Sequence, residues 1–203
     1  MEKVPKGLLA LLSTINSPAF VMNKYRDILA VSPLASLLEP ALKVGANRLV
    51  SLFTDPIARE YHPDWEANTA SVVAQLRIDI GADECDPDYQ HLVRELAADS
   101  DRFRELWARF DVQLGGSAAS IIRNPAVGDV ELLREKLVAE PNDLILVIYH
   151  AVRGSDSEQK LAKLRSLGEM ETKALGAELH PVAQLPDCGG CSSPSSVEVE
   201  PEA

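Results

Sequence analysis

Apolar and polar positions follow two different periods along this chain, and the change of period divides it. Leu8 to Ile15 is an apolar run that reads as a short helix ending before Ser17-Pro18. Two brief apolar runs, Ala19–Met22 and Ile28–Val31, then flank the polar stretch Asn23 to Asp27, which predicts a β-hairpin. Pro33 opens the run PLASLL and suits a first helical turn, where a missing N–H is not needed. RLVSLF reads as a further helix capped by Asn47.

The middle of the chain has helical period. Trp65, Val72, Val73, Leu76 and Ile80 fall on one stripe, with Gly81 just beyond its end. Leu92, Val93 and Leu96 mark a second helix. In a third, Phe103, Leu106, Trp107 and Phe110 stand at i, i+3, i+4 and i+7, while Arg102, Arg104, Glu105 and Arg109 fall on other faces. Asp99, Ser100 and Asp101 offer cap oxygens at its start.

After Val112 the period shortens. GGSAASIIRNPAVGD, VELLREKLV and LILVIYHAV are separated by turn signals at Asn124-Pro125, Gly128-Asp129 and Pro141-Asn142-Asp143. Leu144 to Val147 is continuously apolar, as a central strand would be. Two strands, several helices and a three-stranded meander predict an α+β domain with an antiparallel sheet of about five strands covered by helices. A charged helix closes it near Ser157 to Gly176. The tail from Glu178 is rich in Pro, Gly, Ser and Glu, and is expected to be disordered. The division expected is a folded domain over 1–168, then the helix end and acidic tail over 169–203.

Composition narrows the function. The chain has 203 residues, 46% hydrophobic and 25% charged, which suits one ordinary globular domain. Its net charge of −11 disfavours direct DNA binding by this chain. From Glu169 onward seven acids face Lys173 alone, so a net −6 lies in that segment and −5 in the rest. No secretory signal or membrane-length apolar run is present, so no membrane association is expected and the default location is cytoplasmic. Cys85, Cys188 and Cys191 are too few for a secreted disulfide framework.

Signals of catalysis are weak. The histidines His62, His91, His150 and His180 are scattered, with no metalloprotease, hydrolase-elbow or phosphate-loop motif. The expectation is no enzyme, no metal and no cofactor. His62-Pro63-Asp64 could imitate two metal ligands, but a loop entering a helix explains it equally well. Asp83, Glu84, Asp86 and Asp88 around Cys85 lack the spacing and central glycine of a calcium loop and read as a solvated loop. Cys188-Gly-Gly-Cys191 is compatible with a dithiol switch, half a zinc site or a plain tail, and the plain tail is favoured.

In this order the pieces resemble the ligand-binding domain of MmyB-like transcription regulators. The resemblance rests on DILAVSPLASLL, NRLVSLFTDP (Asn47 to Pro56), DWEANTASVVAQLR (Asp64 to Arg77), LVRELAADSDRFRELWARFDV, NPAVGDVEL (Asn124 to Leu132) and LILVIYHAVRGSDS, spanning Leu8 to Leu167. It departs from the family pattern at Val31-Ser32, where Trp-Asn is usual, and at Asn124-Pro125, where His-Pro is usual. The family is actinobacteria-rich and PAS-like, and usually follows an XRE-type helix-turn-helix. Only seven residues precede Leu8, so the expectation is a detached sensor or a shortened form.

The resemblance implies a cavity between sheet and helices for a small apolar or fatty-acid-like molecule. Its candidate walls are Phe20, Met22, Phe53, Val73, Leu76, Phe103, Leu106, Trp107, Phe110, Ile121, Leu132 and Val147, with simple core packing as the alternative for each. The Phe103 helix would then cover the sheet, and Trp107 would either line the cavity or plug it. Arg77 could bind a ligand carboxylate bidentately, or instead form an inter-helix pair. A homodimer or another protein partner is implied by analogy, through the GLLALL helix or the closing helix. The competing function is a scaffold that senses nothing and acts through its CxxC-bearing tail or a partner.

Overall fold

A computed structural model describes residues 3–81, 85–109, 119–140 and 143–178, the last eight as backbone only. Phe110, Cys188 and Cys191, on which parts of the sequence reading fall, lie outside the described residues. The first helix, α1 (Lys6–Thr14), leads into a hairpin of β1 (Ala19–Met22) and β2 (Ile28–Val31). The hairpin turn is polar because Arg26 adopts a positive φ of 75° and its N–H donates to the carbonyl of Asn23 at 3.1 Å. Five helices follow: α2 (Pro33–Leu38), α3 (Arg48–Thr54), α4 (Pro56–Tyr61), α5 (Trp65–Gly81) and α6 (Pro87–Asp99). After α7 (Asp101–Ala108) come β3 (Ala119–Asn124), β4 (Gly128–Ala139), β5 (Leu144–His150) and α8 (Asp156–Glu178).

All five strands join in one antiparallel sheet of order β2-β1-β5-β4-β3. The last strand thus enters between the first hairpin and the rest of the meander, giving a PAS-like α+β architecture. Each face has its own core. Leu12 of α1 packs against Ala19, Val21, Ala30, Leu144 and Leu146 on one side. On the other, Phe20, Met22, Ile122, Val130, Leu132, Val147 and Tyr149 meet α2 and Leu161 and Leu164 of α8. That alternation within each strand follows from the two-residue period of the pleat.

The remaining helices make a third core. Leu49, Leu52, Phe53, Trp65, Val73, Leu76, Tyr89, Leu92, Leu96 and Phe103 form a buried cluster that contains no strand residue. Here the sequence reading needs a correction. The aromatic face of α7 does not lie directly on the sheet. Phe103 is fully buried edge-on to Phe53 at 5.3 Å and stacked on Trp107 at 5.4 Å, with α5 and α6 as its neighbours. The helices α5 and α6, with Phe53 of α3, bury the apolar side of α7, while α2 and α8 pack on the sheet.

Several polar side chains fix these elements. Asn47 accepts from the N–H groups of Leu49 and Val50 and donates to Tyr25 O at 2.9 Å and Asp27 at 2.8 Å, so it caps α3 and ties it to the hairpin. Ser32 caps α2 and accepts from the N–H of Ala19 at 2.9 Å. Asn124 donates to Leu37 O and Leu38 O at the other end of α2. Ser32 and Asn124 therefore hold α2 in place from its two ends. Asp86, expected in a solvated loop, is instead buried: it caps α6 and receives Lys24 at 2.7 Å and the Tyr25 hydroxyl at 2.8 Å.

Candidate ligand-binding site

Where the sheet core and the helical core meet, a partly open cavity remains, with about 50 Å³ of water-accessible space. A water needs on the order of 10–15 Å³ on that measure, so the space suits a few non-hydrogen atoms. Its floor is the sheet: Phe20 and Met22 of β1, Val147 and Tyr149 of β5. Leu49 and Leu52 of α3 form one wall; Val72, Asn68 and Gln75 of α5 form another. The floor residues share a face because Phe20 stands opposite Val147, and Val147 opposite Lys136, across three neighbouring strands.

Four cations complete the lining: Arg26, Arg48, Arg134 and Lys136. Two are already neutralised. Arg26 donates to Lys24 O at 2.9 Å and pairs with Asp79, which also accepts from Gln75 at 3.0 Å. Arg48 meets Glu39 through Nη1 at 2.9 Å and Nη2 at 3.2 Å, and His62 Nε2 lies 3.0 Å from the same carboxylate. Burial alone would raise the carboxyl of Glu39, yet the charge of Arg48 and the hydrogen bond with His62 outweigh it and hold Glu39 below its ordinary value.

The other two cations are different. The side chains of Arg134 and Lys136 make no hydrogen bond or ion pair with any described residue. Lys136 is exposed at the cavity mouth. Desolvation, reinforced by the charges of Arg134 and Arg26 and opposed by Asp79, pushes it down to about 8. The lining thus combines an apolar floor with two cations that have no side-chain partner among the described residues; among the described residues no three His, Cys, Asp or Glu converge as a metal site would require.

The residues named from sequence are placed as follows. Phe20, Met22 and Val147 line the cavity. Val73, Leu76, Phe53, Phe103, Leu106 and Trp107 sit in the helical core, with Val72 rather than Val73 turned to the space. Leu132 is buried further along the sheet under α2 and α8. Ile121 pairs with Glu131 and points to the opposite face from Ile122. Arg77 lies over the Trp107 ring at 4.6 Å and donates to its carbonyl, an inter-helix role. Missed from sequence were the four cations, Tyr149 and the α3 wall. One signal could have found two of them: in strand period Val130, Leu132, Arg134 and Lys136 share a face.

A PAS-like sheet roofed by helices, with a cavity lined by apolar and cationic side chains at their junction, is the architecture of a small-molecule binding domain. The particular family follows from comparison: the chain belongs to the MmyB-like transcription regulator ligand binding domain family, whose sequence model matches residues 4–164. No curated protein is similar enough to count as a match. The family is a regulatory ligand-binding domain and not an enzyme family, and no described helix is long and apolar enough to cross a membrane.

Proposed function

We propose that this domain senses a small amphipathic, fatty-acid-like molecule in the cavity between the sheet and α3 and α5. The carrying observation is the lining itself: Phe20, Met22, Leu49, Leu52, Val72 and Val147 around one space that also presents amide and cationic groups. Ligand sites combine mostly apolar walls with a few polar anchors in this way. On this reading the chain is a non-catalytic, cytoplasmic binding module, and DNA contact belongs to an attached or associated helix-turn-helix. Occupancy regulates that partner to the extent that the ligand distinguishes two states of the domain. A homodimer fits as well, since Leu9 and Leu11 of α1 are exposed.

The test is native mass spectrometry with lipid extraction of the purified protein, beside a Val72→Phe variant that fills the cavity. The wild-type chain is expected to carry or take up a small amphipathic molecule, and the variant to lose it. Saturating ligand at about 100 times Kd stabilises by about 2.7 kcal/mol, hence roughly 5–10 °C in Tm. The competing scaffold reading draws on the small volume of the cavity. A wild-type protein that is empty and gains no thermal stability from any small amphipathic molecule supports the scaffold instead.

A further inference from the structure

We propose that Lys136 captures small aliphatic aldehydes covalently: its amine condenses with the carbonyl carbon to form an imine, and the alkyl part lies on Phe20, Met22 and Val147. This rests on the reading of the cavity as a site for small molecules, and it adds a reactive group at the mouth that noncovalent binding does not use.

Four cations line this one space, and like charges so placed repel unless they are paired or one of them gives up its proton. Asp79 answers Arg26, and Glu39 answers Arg48. The side chains of Arg134 and Lys136 have no such counterpart among the described residues. A guanidinium does not lose its proton in a protein, so Lys136 is the member that can become neutral. Arg134 lies two positions away on the same strand face, about 7 Å along the chain. A neighbouring cation beside apolar surface is what turns a lysine into an amine nucleophile for carbonyl compounds. Lys136 pairs with Val147 across the sheet, and Val147 with Phe20, so its strand position borders the apolar floor. It is exposed at the mouth, where an aldehyde arrives from solvent. Lys24 is the opposite case: Asp86 at 2.7 Å, helped by Tyr25, holds its proton more firmly than usual.

The step balances without a co-reactant. Lys136 first gives its proton to solvent, and the lone pair on Nζ then adds to the carbonyl carbon. The carbinolamine so formed loses water, whose oxygen is the carbonyl's and whose two hydrogens come from the amine. The imine is less basic than the amine, so capture also removes positive charge from the cavity wall. Water reverses the bond, which suits a sensor that follows the concentration of its ligand. The groups around Lys136 are Arg134 on its own strand, Tyr149 on β5, Arg26 at the hairpin and Asp79 on α5, with Arg48 on α3 backed by Glu39 and His62. Desolvation, then the charges of Arg134 and Arg26 against that of Asp79, brings the ammonium down to about 8. At about pH 7.5 roughly a quarter of such an amine is unprotonated, against on the order of 0.1% of an ordinary lysine.

The test treats the whole chain at about pH 7.5 with butanal and cyanoborohydride, which reduces the imine to a stable secondary amine, and maps the product by peptide mass spectrometry. Lys136 should be alkylated at least about tenfold faster than the exposed Lys43 and Lys163, its larger share of free amine being partly offset by its lower basicity. Formaldehyde, which has no alkyl part, should show a smaller preference. Arg134→Gln should slow the labelling of Lys136 several-fold, because the ammonium regains its proton when the neighbouring charge is gone. Val72→Phe should lose the extra preference for butanal and keep the reaction with formaldehyde. Lys136→Arg keeps the charge and should abolish the adduct, and circular dichroism with a thermal melt confirms that the variants fold. Labelling of Lys136 no faster than of Lys43 and Lys163 by either aldehyde overturns the proposal, while uptake of an amphipathic molecule in native mass spectrometry would still uphold the cavity as a ligand site. A preference for Lys136 that is equal for butanal and formaldehyde, and unchanged in Val72→Phe, also overturns it, since the floor then selects no alkyl part. Wild-type labelling in Arg134→Gln overturns the charge argument on which the reactive amine stands.

Discussion

Replacing Glu39 with Gln removes the negative charge against which Arg48 is held. Glu39 is 1% exposed, and it faces Arg48 at 2.9 and 3.2 Å and His62 at 3.0 Å. The guanidinium left behind is only 13% exposed, so water cannot replace the lost carboxylate fully. Breaking one side of a buried ion pair costs about 3–5 kcal/mol. Gln keeps the shape and one acceptor oxygen, and Arg48 borders the cavity, so the lower end applies, about 3 kcal/mol. For a chain of this size that is a fall of roughly 6–12 °C in Tm.

Thermal and urea melts at neutral pH measure it, and a loss below about 1 kcal/mol would refute the reasoning. Glu39→Leu combined with Arg48→Met should be milder than either change alone, because no charge is then stranded. Acid gives a second readout. The carboxyl is held below its ordinary value of 4.5, so its contribution is full above that pH and is lost as pH falls through the lower folded value. Wild-type and Glu39→Gln melts should therefore converge as pH falls below 4.5 and through that lower folded value. Curves that stay parallel into acid would show that Glu39 is not an ionised partner.

Two other changes probe the elements around the site. Phe103→Ala empties the centre of the helical core, where the ring is fully buried between Phe53 and Trp107. It should cost about 3–5 kcal/mol in urea denaturation, and a loss under 1.5 kcal/mol would mean the cluster relaxes around the gap. Asn47→Ala removes the cap from Leu49 and Val50 and the two donations to the hairpin. It should cost about 2 kcal/mol and speed amide exchange at Leu49 and Val50; unchanged exchange there would count against the cap.

Much of the fold was legible in the sequence because its signals are local. The bounds of β1 and β2 follow from two apolar runs around a polar turn, and the caps at Asn47 and Ser100 from single residues before apolar runs. The six-residue α4 went unread, since less than two turns leave no period to detect. The α7 stripe shows the limit of such reading. Phe103, Leu106 and Trp107 at helical spacing require that one face be buried, but spacing says nothing about which surface buries it. The helices α5 and α6 do so, through contacts that no local pattern encodes.

The charged part of the site was illegible for a sharper physical reason. Glu39, Arg48 and His62 meet because the end of α2, the start of α3 and the end of α4 converge, across separations of 9, 14 and 23 residues. Along the chain each looks like an ordinary surface charge, and His62 looks more like a partner for Asp64 than for Glu39. Their packing also decides which cations remain for a ligand. An anion that took Arg48 would leave the Glu39 carboxylate buried and unpaired, a penalty of several kcal/mol that a small ligand must repay before binding at all. Arg26 is held by Asp79 in a similar pairing. Arg134 and Lys136 form no such pair with a described residue, so of the four cations beside the cavity it is Arg26 and Arg48 whose charge is bound into the fold.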